Sequence, residues 1–166
     1  MNALSTESSV TSAEIEKLLN SLAETPRRIT FASRNLENSR LQFRSDADAW
    51  SVNDILAHLR ACADAWGKSV MAMIAQDHPT LRYVSPRTWI KKTGYLELEF
   101  RQSLVAFTRQ REELVKSLEP LAIAYWSRGA TFTGTTRGRE QTILSYVQRM
   151  TQHENEHCEQ IQALLK

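Results

Sequence analysis

Apolar residues recur every three or four positions along most of this chain, which is the spacing that buries one face of an α-helix. The first such stripe begins after Thr11 and Glu14, whose spacing is that of a capping box, with Ser12 as the alternative N-cap. Pro26 is expected either to kink this first helix or to begin a new turn.

Three more helices follow from the same pattern. Ser51 with Asp54 forms a second capping-box signal and predicts a helix over residues 52–75. A third helix is predicted from about Tyr95 to Leu118, and a fourth from about Glu140 to Leu165. We find no strand pattern, so the pattern as a whole predicts an all-α fold.

The predicted helices are joined by two long segments without periodicity. Residues 77–94 and 120–139 are expected to be irregular crossover connections, the first with one short helical turn. Four long amphipathic helices with such connections favour a four-helix bundle. A length of 166 residues predicts one domain, over residues 11–166, behind a flexible polar N terminus at residues 1–10.

The amino-acid composition limits the classes of molecule that this protein is expected to bind. The chain is 42% hydrophobic and 24% charged, as in soluble globular proteins, and its net charge is only +2. The basic residues are scattered, which argues against a nucleic-acid partner and favours a small-molecule substrate.

No export signal or membrane-spanning segment is evident, so a cytoplasmic location is expected. Two cysteines fit a reducing compartment, although they could also form one disulfide. A homodimer is a further expectation.

Three of the four histidines fall on inward helix faces. His153 and His157 lie one turn apart on the fourth helix, so that their imidazoles leave the same face. His58, on the second helix, borders the apolar stripe. Buried imidazoles are costly unless they are paired or ligated, so these three predict a divalent metal site. A solvated or hydrogen-bonded pair is the alternative for His153 and His157, and His78 is expected at the surface.

The two cysteines leave undecided how many protein ligands the metal site has. Cys62 lies four residues after His58 and could be a fourth ligand, which would close the site and make it structural; otherwise it is a small buried hydrophobe. Cys158 points about 100° away from His157 and is expected to be a packing or surface thiol.

Other polar and aromatic residues are weaker candidates for the site. Glu154 completes the pattern H-E-x-x-H, but a chain without strands disfavours a metalloprotease, so Glu154 is either a base or second-sphere contact, or a solvated residue. Trp126 could line the pocket or pack in the core. Arg128 or Arg137 could bind a substrate carboxylate or remain solvated.

The chain as a whole resembles the DinB-like (YfiT-like) superfamily of metalloenzymes. The resemblance covers about residues 15–164 and is carried by residues 50–59, 111–114 with Leu118, 126–129, Gly138 and 153–161. It implies a four-helix bundle in which His58, His153 and His157 bind a divalent metal. We expect Zn²⁺ or Ni²⁺, with Fe²⁺ or Mn²⁺ as alternatives, because imidazole suits several of these ions.

Two functions of different classes are compatible with such a site. The resemblance implies a metal-dependent enzyme acting on a small molecule, either a hydrolase or a transferase that uses a low-molecular-weight thiol, with an open metal position. The alternative is a non-catalytic bundle, stapled by its metal, that acts as a binding or interaction module through the basic loop 82–92. A fourth protein ligand from Cys62 would favour the alternative.

Overall fold

The computed structural model describes residues 10–135 and 138–166 and contains four long helices that pack side by side. The helices are α1 (Ser12–Ser33), α2 (Asn38–Leu41), α3 (Val52–Ala75), α4 (Pro86–Trp89), α5 (Phe100–Leu118) and α6 (Ile143–Leu164). Helices α1 and α3 each pack against both α5 and α6. The predicted four-helix bundle is therefore confirmed, with α2 and α4 as short turns in the connections.

The capping residues explain where the first two long helices begin. The Thr11 hydroxyl accepts a hydrogen bond from the backbone of Glu14, and the Glu14 carboxylate accepts one in return. Ser51 and Asp54 form the same reciprocal pair at the start of α3. Pro26 lies inside α1, which continues through it to Ser33.

Two predicted helix starts are wrong by a few residues. Helix α5 begins at Phe100 rather than Tyr95, because the Glu99 carboxylate accepts a hydrogen bond from a backbone amide of the first turn at 3.0 Å and so caps the helix there. Helix α6 begins at Ile143 rather than Glu140, because the residues before it belong to a strand. In both helices the prediction differs from the structure only at the N-terminal end.

The expectation that the chain has no strands is also wrong. Strand β1 (Thr80–Arg82) pairs in parallel with β2 (Gly129–Thr133), and β2 pairs antiparallel with β3 (Glu140–Thr142). Each strand has only three to five residues, too few for alternation to be distinguished from a loop. The sheet joins the two crossover connections to each other.

Apolar side chains from all four long helices form the core. One cluster includes Trp66, Met150 and the sheet residue Phe132, and another includes Ile55 and Ile161. Cys62 and Cys158 are both buried free thiols. Residues 1–9 of the predicted flexible N terminus lie outside the described residues, and Val10 packs against the first cluster. Within the described residues, no helix is both long and apolar enough to cross a bilayer.

Candidate metal centre

Three imidazoles face one another where α3 packs on α6. The Nε2 atom of His153 lies 3.1 Å from Nε2 of His58 and 3.1 Å from Nε2 of His157. Two nitrogens bound to one tetrahedral ion at about 2.0–2.1 Å would lie about 3.3 Å apart. Both distances are close to this value, so each pair is compatible with ligation of one ion. We call His58, His153 and His157 the histidine triad.

Protons on the triad are arranged for ligation. His157 Nδ1 lies 2.9 Å from the Gln160 carbonyl oxygen, which can only accept a hydrogen bond, so the proton is on Nδ1 and the Nε2 lone pair is free. His153 Nε2 contacts two other nitrogens but can share only one proton with them. Its buried Nδ1 has no hydrogen-bond partner in the described part of the chain. A cation among the Nε2 atoms would take up the lone pairs that too few shared protons leave unpaired there, whereas His153 Nδ1 would keep its proton.

Burial keeps the triad neutral. Removal from water lowers the pKa of His58 to about 4, and the neighbouring His157 and Arg87 lower it further. Burial likewise lowers the pKa of His153 to about 3, and it lowers the pKa of His157 although the Gln160 hydrogen bond opposes the shift. Neutral imidazole is the form that binds metal ions, so protons compete weakly for this site at neutral pH.

Two tryptophans flank the triad. The Trp50 ring stacks on His157 at 12° with centroids 6.1 Å apart, and lies 5.1 Å from the His58 ring. The Trp66 ring meets His153 edge-on at 5.0 Å. Trp66 is buried and Trp50 is 39% exposed, so the triad is screened from water on one side and approachable past Trp50 on the other.

A cavity of about 370 Å³ opens beside His58. Trp50, Ile90 and Leu96 supply apolar walls, and Arg87 lines it from α4. The size falls in the range of small-molecule pockets, which is about 300–1,000 Å³. A ligand in this cavity would contact one member of the triad directly.

Comparison with known proteins agrees with this architecture. A family model described as the DinB superfamily matches residues 21–161. The chain belongs to the DinB superfamily. No curated protein matches it.

This DinB-superfamily chain shares its fold with a solved structure of 16% sequence identity, named "YfiT from Bacillus subtilis is a probable metal-dependent hydrolase with an unusual four-helix bundle topology". The TM-score is 0.82, and the match covers 99% of this chain and 93% of YfiT. At this identity the likeness concerns the fold alone.

Cys62 lies within reach of the triad, as its spacing from His58 predicts. Its Sγ atom is 3.5 Å from His58 Nε2, and the ligand atoms of His58, Cys62 and His153 all lie within 4.8 Å of one another. Sulfur and nitrogen ligands of one tetrahedral ion would be about 3.5 Å apart. His157 contacts His153 at 3.1 Å but is not part of this group among the described residues. Burial raises the pKa of the Cys62 thiol to about 12, so without an ion the thiol stays protonated.

Glu154 does not face the triad. Its carboxylate Oε1 lies 2.7 Å from Arg111 Nε, and both side chains are buried. Because Glu154 follows His153 directly, it leaves α6 about 100° away and meets α5 instead. The expectation of a solvated Glu154 is wrong, and the zincin arrangement, in which this glutamate acts at the metal, does not form.

The structure does not bring the other predicted residues to the cavity beside His58. Trp126 is fully buried in the core cluster with Phe132, and Arg128 donates a hydrogen bond to the Ile74 carbonyl at 3.1 Å. Arg137 lies outside the described residues. His78 is exposed and pairs with Glu140 on the sheet, as expected of a surface residue.

Sequence reasoning missed three contributors to the site. No role at the site is predicted for Trp50 or Gln160, which belong to the segments 50–59 and 153–161 that carry the family resemblance, or for Arg87, which belongs to the basic loop 82–92. The position of Gln160 three residues after His157 was a usable signal, because residues at that spacing share a helix face. No local pattern indicates that the loop carrying Arg87 folds back beside His58.

Proposed function

We propose that this chain is a metal-dependent enzyme that transfers a group of a small molecule to water or to a low-molecular-weight thiol. The observation that carries the proposal is the approach of three imidazoles, one buried and two half-buried, beside a cavity of about 370 Å³. His58, His153 and His157 are the proposed ligands, and Zn²⁺ or Ni²⁺ the proposed ions, with Fe²⁺ or Mn²⁺ as alternatives. When bound, such an ion acts as a Lewis acid that activates water or a thiol and polarises the substrate.

The surrounding residues have separate tasks in this proposal. Gln160 holds the tautomer and ring orientation of His157, as a second-sphere carbonyl does at many metal sites. Trp66 excludes water from the side of His153. Trp50 and the cavity residues hold a small molecule next to His58. The name of YfiT, a structure with the same fold, supports hydrolysis as one of the two reactions.

One observation favours a second candidate function, a non-catalytic bundle stapled by its metal. Cys62 Sγ is as close to His58 Nε2 as a fourth tetrahedral ligand would be. A closed site of three nitrogens and one sulfur leaves no position for a substrate. The cavity beside His58 favours the enzyme instead, because a purely structural site requires no adjoining space.

Cobalt substitution separates the two functions. We expect Co²⁺-loaded protein to lack a sulfur-to-cobalt charge-transfer band and to gain one when 2-mercaptoethanol is added, because a thiol can enter an open position. If Cys62 is a ligand, the band is present before any thiol is added and disappears in Cys62→Ala. Cys158→Ala is the matched control, since it removes the other buried thiol. A band that depends on Cys62 and does not respond to thiol would refute the enzyme.

A further inference from the structure

The cavity beside His58 is lined by four charged side chains, and two of them neutralise each other. Arg44 donates hydrogen bonds from Nε and Nη2 to the two carboxylate oxygens of Asp54, at 2.7 and 2.6 Å. The other two, Arg87 and Asp48, are exposed residues that also line this cavity. Among the described residues, the Arg87 guanidinium makes no hydrogen bond and no ion pair. Arg87 is therefore a cation whose donors are available to a ligand.

Arg87 projects from a turn that is fixed in place. Helix α4 begins at the buried Pro86 and ends at Trp89, whose indole Nε1 donates a hydrogen bond to Asp64 on α3 at 3.0 Å. The Tyr95 hydroxyl donates to the same carboxylate at 2.7 Å, so two hydrogen bonds anchor the connection on the C-terminal side of Arg87 and the buried Pro86 precedes it. Arg87 thus lines the same cavity as His58 from an already ordered turn, so that a ligand need not pay the entropy loss of ordering a free loop.

The chemistry of the lining indicates which ligand this cation would meet. A guanidinium binds a carboxylate through two parallel hydrogen bonds, and such bonds are stronger than those between neutral groups. The Asp48 carboxylate in the same cavity disfavours a second negative charge on the ligand. Ile90 and Leu96 suit a short apolar stretch between that carboxylate and the group that reaches the metal.

We propose that Arg87 is the anion-recognition residue of this cavity, and that the small molecule bound beside the triad carries a carboxylate. The inference rests on the proposed function, because it places the reactive end of the ligand at the metal next to His58. It goes further by naming the substrate class and a residue that determines specificity.

Two thiols of equal chain length test the inference on Co²⁺-loaded protein. The probes are 3-mercaptopropionate, which carries the carboxylate, and 3-mercaptopropan-1-ol, which does not; binding is followed by the thiolate-to-cobalt band. We expect Arg87→Gln to weaken binding of 3-mercaptopropionate about tenfold, as loss of a charge-assisted hydrogen-bond pair should, and to leave the alcohol within about twofold. Because the carboxylate of 3-mercaptopropionate can itself chelate cobalt, a higher affinity of the wild type for this probe than for the alcohol is not diagnostic. The diagnostic quantity is the change in affinity for 3-mercaptopropionate that Arg87→Gln causes.

Lys91→Gln is the matched control, because it removes the same charge from the same connection at a residue that does not line the cavity. It should leave both affinities within about twofold, since exposed charges act weakly at a distance in salt. Equal affinities of 3-mercaptopropionate for wild type and Arg87→Gln, or an equal loss in Lys91→Gln, would overturn the inference while thiol binding still upheld the proposed function. Failure of the protein to bind cobalt, or of either thiol to produce the band, would refute the proposed function itself.

Discussion

The Arg111 guanidinium and the Glu154 carboxylate form an ion pair inside the bundle, with Nε and Oε1 2.7 Å apart. Only 2% of the Arg111 side chain and 3% of the Glu154 side chain are exposed. The pair joins α5 to α6 directly beside His153. It therefore links the packing of the bundle to the placement of one triad residue.

Removal of Glu154 should destabilise the protein strongly. Glu154→Ala leaves the Arg111 charge buried without a partner, so we expect a loss of about 3–5 kcal/mol in the free energy of unfolding. Arg111→Met combined with Glu154→Leu should recover most of this loss, because it removes both charges and keeps the volume. Urea unfolding of the two variants and the wild type measures the difference. A loss below about 1 kcal/mol for Glu154→Ala would show that the charge finds water or another partner.

The metal-free protein should lose stability as the pH falls from about 6.5 to about 5. The ordinary histidine pKa is 6.5, whereas burial lowers that of His58 to about 4 and that of His153 to about 3. Below pH 6.5 the unfolded chain therefore binds protons that the folded chain does not, and stability decreases with falling pH until the folded pKa values are reached. Above that window both states are neutral, and these groups contribute no pH dependence.

Unfolding midpoints in the presence of a chelator measure this slope. His153→Gln should make this slope shallower, because it removes one of the groups whose pKa burial lowers. A free energy of unfolding that does not change between about pH 6.5 and about pH 5 would mean that the triad histidines have the same pKa in the folded and the unfolded chain.

Asp64 should control the order of the connection that walls the cavity. Its carboxylate accepts hydrogen bonds from Trp89 Nε1, from the Tyr95 hydroxyl at 2.7 Å and from Gln110 Nε2 at 2.7 Å. Asp64→Ala should cost about 1–3 kcal/mol, because it leaves these donors without their acceptor. It should also speed native-state trypsin cleavage in the connection, which then opens more often. Asp77→Ala, at an exposed residue just beyond α3, is the control; equal cleavage rates in the two variants would contradict this role.

The start of α3 and the pairing of His153 with His157 were predictable because each depends on local spacing. Ser51 and Asp54 fix the helix start by hydrogen bonds within one turn. The triad follows from two imidazoles one turn apart on a helix and a third on an inward face of its neighbour. The capping pair and the His153–His157 spacing need no knowledge of the rest of the fold, whereas the approach of His58 depends on α3 packing against α6.

Other features depend on contacts between segments that are distant in the sequence. No local sequence pattern predicts such contacts. Arg87 approaches His58 only because α4 folds back on α3. Strand β1 forms only because β2, nearly fifty residues later, lies beside it. The Arg111–Glu154 pair depends on such a contact as well, because its two residues lie on α5 and α6.

Metal content tests the account most directly. Purified protein reconstituted with Zn²⁺ or Ni²⁺ should hold about one ion per chain, and His58→Ala, His153→Ala and His157→Ala should each abolish binding, because an ion held by three nitrogens loses most of its affinity with any one of them. His78→Ala should retain the ion, and helical circular dichroism should survive a chelator, because the bundle has an apolar core without the metal. No ion in the reconstituted wild type, or full occupancy in the three triad variants, would contradict a metal centre at the triad.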